Sequence, residues 1–175
     1  RKRFRLGFVG GYETCAVWGG LITLQRYQEL MGEADPVMRA IWVWHQVEEV
    51  EHGAVAFDFY NAFYGEHEWF RKFMVVRAFG HILSETFKAY APMVRGEGLY
   101  KTPGKALKAW RFFCRFGFDL AWSALPVLKR GYHPRTHPIC NSAQNPIALA
   151  WREHHENGGD VLSLNDKIMS ALLRT

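Results

Sequence analysis

Cysteine is scarce in this chain. Cys15, Cys114 and Cys140 are odd in number and form no Cys-x-x-Cys pair. That argues against a disulfide framework and a structural zinc knot, and it fits a reducing, cytoplasmic compartment. Long uncharged apolar runs are missing too. The longest, Leu6 to Gln25, is interrupted by Glu13 and five glycines, so nothing approaches the ~20 residues of a membrane span. There is no signal-peptide pattern, low-complexity tract, internal repeat or alternating strand pattern. A phosphate-binding glycine loop is also absent. Gly10-Gly11 and Gly19-Gly20 sit at helical spacing and suit close helix approach.

What is present is apolar and aromatic. Hydrophobic residues make up 49% of the 175, with seven Trp, seven Tyr and thirteen Phe, which excludes a disordered chain and is enough for a real core. The net charge of +5 is modest. Basic residues gather at Arg1, Lys2, Arg3 and Arg5 and again between Lys101 and Arg115. Solvated helix faces are the default reading of such clusters, and no nucleic-acid motif accompanies them. The chain opens on Arg1 rather than Met, which reads as a fragment or a processed product.

Helical periodicity runs through the chain and predicts one α-helical domain over 1–175, with 1–91 carrying the ligand helices and 92–175 further helices and a loop. A first helix is expected from Arg5 to Met31. Asp35 can cap a second, with Pro36 at its first position, running to Ala62. A third spans His67 to Ala91 and stops at Pro92. A fourth, Lys105 to Lys129, is kinked or ended by Pro126. Gly131 to Pro138 reads as an extended, proline-rigidified loop, followed by a short helix within Asn145–Asn157 and a terminal one from Leu162 to Leu173.

The densest chemistry lies in Trp44-His45-Gln46-Val47-Glu48-Glu49-Val50-Glu51-His52. His45, Glu48, Glu49 and His52 fall within about 100° of helical arc. Glu49-x-x-His52 therefore puts a carboxylate and an imidazole on one face, where they can share a metal ion. Met38, Ile41, Ala56 and Phe59 continue that stripe. Burying such groups is costly unless they are paired or bound to metal. Glu13 is the only charged residue between Arg5 and Arg26, so it should pair inside the fold, with a metal or with Tyr, Trp, Arg77 or Arg111. Helix bundles build dimetal sites from one Glu on each of two helices and Glu-x-x-His on each of two others. Carboxylate and imidazole donors suit iron or manganese, iron ahead of manganese or zinc.

Trp44-His45-x-x-Glu48-Glu49-x-Glu51-His52, followed by Val55-Ala56-Phe57-Asp58-x-Tyr60, resembles the signature of bacterial proteins labelled predicted metal-dependent hydrolases. Tyr132-His133-Pro134 resembles a Phe/Tyr-His-Pro segment near their ends, and the Glu13 helix is similar to their acidic helix. The likeness covers roughly residues 5–60 and 128–152. Two positions depart from it: Thr14 stands where the family usually has His, and Gly53 where it usually has Lys. The resemblance implies a ferritin-like bundle with two divalent metal ions, of which this chain is the second half only, carrying Glu13, Glu49 and His52. Completion would come from an upstream segment, a second chain across a two-fold axis, or local substitutes, best His81 and Glu85. His45 and Glu48 are candidates for orienting His52 or Glu49, or for direct ligation.

Other polar groups read more plainly. Glu51 and Asp58 suit surface pairing or packing, and His133 and His137 suit loop packing more than a metal or anion site. His154-His155 read as a solvated helix end. No Ser or Cys has a nucleophile motif around it. The expected function is thus a dimetal-carboxylate enzyme acting on a small molecule, by metal-assisted hydrolysis or di-iron oxygen activation. The alternatives are a non-catalytic metal-binding or helical interaction module, and a membrane-peripheral protein using Trp69, Phe70, Phe73, Val76, Phe79 and Phe87.

Overall fold

A computed structural model describes residues 1–137 and 153–160, apart from the side chain of Gln28. An all-α bundle is formed by α1 (Lys2–Gln25), α2 (Tyr27–Met31), α3 (Pro36–His52), α4 (Val55–Tyr64), α5 (Glu68–Gly96) and α6 (Pro103–Ala124). No strand occurs among the described residues. Helix α1 is the centre, packing against α3, α4, α5 and α6. Its apolar positions recur on several sides, and Val17, Trp18, Leu21 and Ile22 are all buried. They meet Val50, Phe57 and Val75 from the surrounding helices in one core. Glycines allow the close approach. A Cβ on Gly11 would lie 2.8 Å from the Met74 carbonyl oxygen of α5, a backbone atom that cannot yield locally.

The helix ends follow local chemistry. Asp35 caps α3 by accepting from the Val37 and Met38 amides at 2.9 and 3.2 Å, with Pro36 at the first turn, as the sequence predicts. The expected first helix to Met31 is instead interrupted at Arg26, where the guanidinium pairs with Glu29 at 2.8 Å and with Asp119 of α6 at 3.0 Å. Tyr27 then turns into the core. The expected second helix to Ala62 breaks at Gly53-Ala54 into α3 and α4. The third runs through Pro92 to Gly96 rather than stopping before it. Pro92 frees only the Lys88 carbonyl, and both residues are exposed, so water can replace the lost bond. Helix α6 starts at Pro103 and ends before Pro126, which opens into a 3-10 turn, Leu125–Leu128.

The loop after α6 is pinned at both ends. Glu68 accepts from the Gly131 amide at 3.2 Å and from Lys72 at 3.1 Å. His133 Nε2 meets Asp58 of α4 at 2.7 Å, and a short 3-10 turn spans Pro134–Thr136. His137 is buried, and its Nε2–H donates to the Ser123 carbonyl at 2.6 Å between the rings of Trp18 and Tyr132. Both loop histidines therefore pack the fold. Of the expected C-terminal helices, residues 153–156 are helical. Residues 145–152 and Leu162–Leu173 lie outside the described residues, as does Cys140.

Burial pushes His137 below its ordinary pKa, with the Ser123 hydrogen bond opposing that shift only in part. The unfolded chain then binds a proton that the folded chain refuses, so stability should fall as pH drops through about 6.5 toward the depressed folded value. The denaturant midpoint of the wild type should decline more between about pH 7.5 and about pH 5.5 than that of His137→Gln, which keeps an N–H donor without the titration. Equal slopes for both proteins would show that His137 is not the linked group.

Candidate metal centre

Helices α1 and α3–α4 run antiparallel, because Gly10 lies against Ala56, Gly53 against Val17, and Gly20 against Gln46 and Val50. That register sets Glu13 across from the last turn of α3. Glu13, Glu49 and His52 each offer one ligand atom, all within 4.8 Å of one another. Among the described residues no other His, Cys, Asp or Glu forms a group of three this tight.

The electrostatics favour a cation here. Partial burial raises the Glu13 pKa, and the negative charge of Glu49 raises it further, while His52 opposes the shift. Two carboxylates pressed together in a half-buried position repel, and a divalent ion would relieve that repulsion. Two oxygen donors and one imidazole fit iron, manganese or zinc.

The neighbouring groups buttress the three. His45 Nε2 lies 3.5 Å from Glu49, and Glu48 accepts from His52 Nε2 at 3.0 Å. With Nε2 engaged by Glu48, Nδ1 is the ring nitrogen of His52 left for a metal. A carboxylate behind a ligating imidazole fixes its tautomer and raises its basicity.

The other candidates go elsewhere. His81 Nδ1 shares a 3.0 Å hydrogen bond with the Tyr12 hydroxyl, and its ring stands edge-on to Phe8. Glu85 pairs with Lys88 at 2.8 Å. The Tyr12–His81 bond links α1 to α5 beside Glu13 in sequence, and no spacing rule announces it across 69 positions. His155 is exposed and His154 half-buried. The α5 stripe divides: Trp69, Phe73 and Val76 are exposed, Phe87 is half exposed while packing with Trp110 and Phe113 of α6, and Phe70 and Phe79 are partly buried.

The stripe around Glu49 and His52 is not buried within this chain: Met38, Ile41 and Phe59 are exposed, as is Val9, one turn before Glu13 on α1. The amphipathic pattern correctly marks an apolar face, but none of the described helices covers it.

The match to known proteins agrees with this donor set. A family model described as predicted metal-dependent hydrolase matches residues 1–138. The chain belongs to that family. The match takes in both the ligand helices and the Tyr132-His133-Pro134 segment, together with the α5 and α6 stretch between them that carries no motif. No curated protein and no solved structure matches the chain. Membership also gives meaning to the His133–Asp58 pair, since it joins the two motif segments, separated by 75 positions, in one contact.

Proposed function

We propose that the protein is a metal-dependent hydrolase built on a ferritin-like dimetal-carboxylate centre, of which the chain supplies one half. The observation that carries this is the convergence of Glu13, Glu49 and His52 from two antiparallel helices, which matches half of the Glu plus Glu-x-x-His set that four-helix bundles use. Glu13 and Glu49 would bridge or terminally bind the metals, His52 would give the nitrogen ligand, and Glu48 would hold the imidazole. The exposed rim of Val9, Met38, Ile41 and Phe59 is where a second pair of ligand helices would pack. That pair would come from an upstream segment or from a second copy across a two-fold axis.

A divalent ion so held supplies Lewis acidity and acidifies water, the basis of metal-assisted hydrolysis of an ester, amide or phosphoester. The apolar rim would exclude bulk water and hold the apolar part of a small substrate. Dioxygen activation by a di-iron pair is the second reading. It is favoured by the ligand set itself, carboxylate-rich with a single imidazole per half. Iron is the expected metal on either reading, ahead of manganese or zinc.

Elemental mass spectrometry on wild type and Glu13→Ala, with the oligomeric mass measured in parallel, tests the site. Iron or manganese should remain after reconstitution and dialysis in the wild type and be lost in the variant, with helix content unchanged. A wild type that retains no metal after exposure to Fe(II), Mn(II) and Zn(II) would overturn the assignment. Dioxygen uptake by the Fe(II) protein, set against turnover of activated esters and phosphoesters, decides between the two chemistries.

A further inference from the structure

Helix α6 turns large apolar residues to water beside its cations, where a surface helix ordinarily shows a polar face. Its inner side is used by the bundle: Leu120 is buried, and Phe113 packs with Phe87 and Tyr90 of α5. Its outer side is apolar as well. Leu107, Cys114, Phe118 and Trp122 recur at helical spacing, and Leu107, Phe118 and Trp122 are 71%, 64% and 67% exposed. Cys114 is also exposed. The rings of Phe118 and Trp122 stack at 6.2 Å. Leu125 and Leu128 extend the patch beyond the helix, each about half exposed.

Charge on this segment has one sign. Seven lysines and arginines lie between Lys101 and Arg130 against a single acid, Asp119. Asp119 is engaged by Arg26 at 3.0 Å. Arg111 lies within the apolar stripe, with Lys108 and Arg115 beside it, and all seven cations are exposed.

We propose that the outer face of α6 docks on an anionic lipid bilayer surface, with Leu107, Phe118 and Trp122 inserted at the headgroup level and the flanking cations on the lipid phosphates. Charge complementarity selects this occupant. A second copy of the same face would set seven cations against seven, whereas an anionic bilayer neutralises them and accepts the apolar stripe together. Arginine and lysine stems can lie along the apolar surface while their heads reach the phosphates, and tryptophan suits the membrane–water boundary. Among the described residues no helix is long and apolar enough to cross a membrane, so α6 lies on the surface. No residue of the metal group lies on α6, and the proposal stands apart from the chemistry at that centre.

Co-sedimentation with phosphatidylcholine vesicles, and with vesicles containing phosphatidylglycerol, at low and high salt tests this. The wild type should bind the anionic vesicles selectively and lose most of that binding at high salt. Arg111→Glu with Arg115→Glu should weaken it by about 25-fold or more, since each cation near such a surface contributes on the order of fivefold. Phe118→Ser with Trp122→Ser should weaken it at least about tenfold through lost apolar contact. Helix content is checked by circular dichroism, and the two pairs are independent, so misfolding of one leaves the other decisive. Binding no better to anionic than to neutral vesicles, or undiminished in a folded variant pair, would overturn the proposal. So would a wild-type dimer that Phe118→Ser with Trp122→Ser converts to a monomer while vesicle binding is unchanged.

Discussion

Gly53→Ala should cost about 2–3 kcal/mol of stability. A Cβ built on Gly53 would collide with Val17 Cγ2, far inside any tolerable contact. Val17 cannot easily give way. It is almost wholly buried in α1, and a β-branched side chain in a helix has one strongly preferred rotamer. The α3–α4 joint must then shift away from α1, taking His52 with it. For a chain of this size such a loss lowers the thermal midpoint by about 5–10 °C. Gly53→Lys should cost at least as much, because its side chain begins with the same colliding Cβ. Gly80→Ala is the matched control. It sits inside α5 with nothing within 4 Å of an added Cβ, and it should stabilise by about 0.5–1 kcal/mol through reduced backbone entropy. Val17→Ala in the Gly53→Ala background should recover part of the loss, read as a coupling energy in a double-mutant cycle. A Gly53→Ala protein within about 0.5 kcal/mol of wild type would show that the contact is not restrictive.

Gly53 also marks where reading the sequence stops short. The glycine itself is visible in the chain, but its reason is not. A glycine within a helical stretch signals only a modest local cost, and what leaves no room for a side chain at 53 is Val17, far away in the chain. Pro92 fails in the opposite sense: its local rule predicts a stop, and an exposed helix face removes the penalty. The Asp35-Pro36 start of α3 is legible because cap and proline act within three residues.

The candidate site divides along the same line. Glu49 and His52 share a face by spacing alone, and the solitary charge of Glu13 in an apolar segment marks it as paired. That Glu13 reaches them depends on the antiparallel register of α1 and α3. His81 and Glu85 have equally suggestive spacing, yet Tyr12 and Lys88 hold them. Periodicity identifies the apolar face around Met38 and Ile41, but cannot tell a buried face from an exposed one.

Glu49→Ala should abolish metal retention, whereas Glu48→Gln should weaken it by about 10–100-fold. The difference follows from geometry. Glu49 belongs to the cluster in which all ligand atoms lie within 4.8 Å, while Glu48 touches the group only through His52 Nε2. Losing Glu49 leaves the chain only one carboxylate and one imidazole to offer a divalent ion. In Glu48→Gln the side-chain amide can still offer a carbonyl oxygen to the imidazole N–H, so His52 keeps its tautomer. It loses only the basicity that a full negative charge confers. Stability measurements separate these effects from misfolding. Without metal, Glu49→Ala should be at least as stable as wild type in this region, because it removes the charge that repels Glu13. With metal at about 100 times its dissociation constant, the wild type should gain about 2.7 kcal/mol and Glu49→Ala nothing. Glu48→Gln should gain an intermediate amount at the same concentration and approach the wild-type gain as metal is raised. Equal metal-dependent stabilisation of wild type and Glu49→Ala would remove Glu49 from the ligand set. Equal loss in both variants would make Glu48 a ligand in its own right.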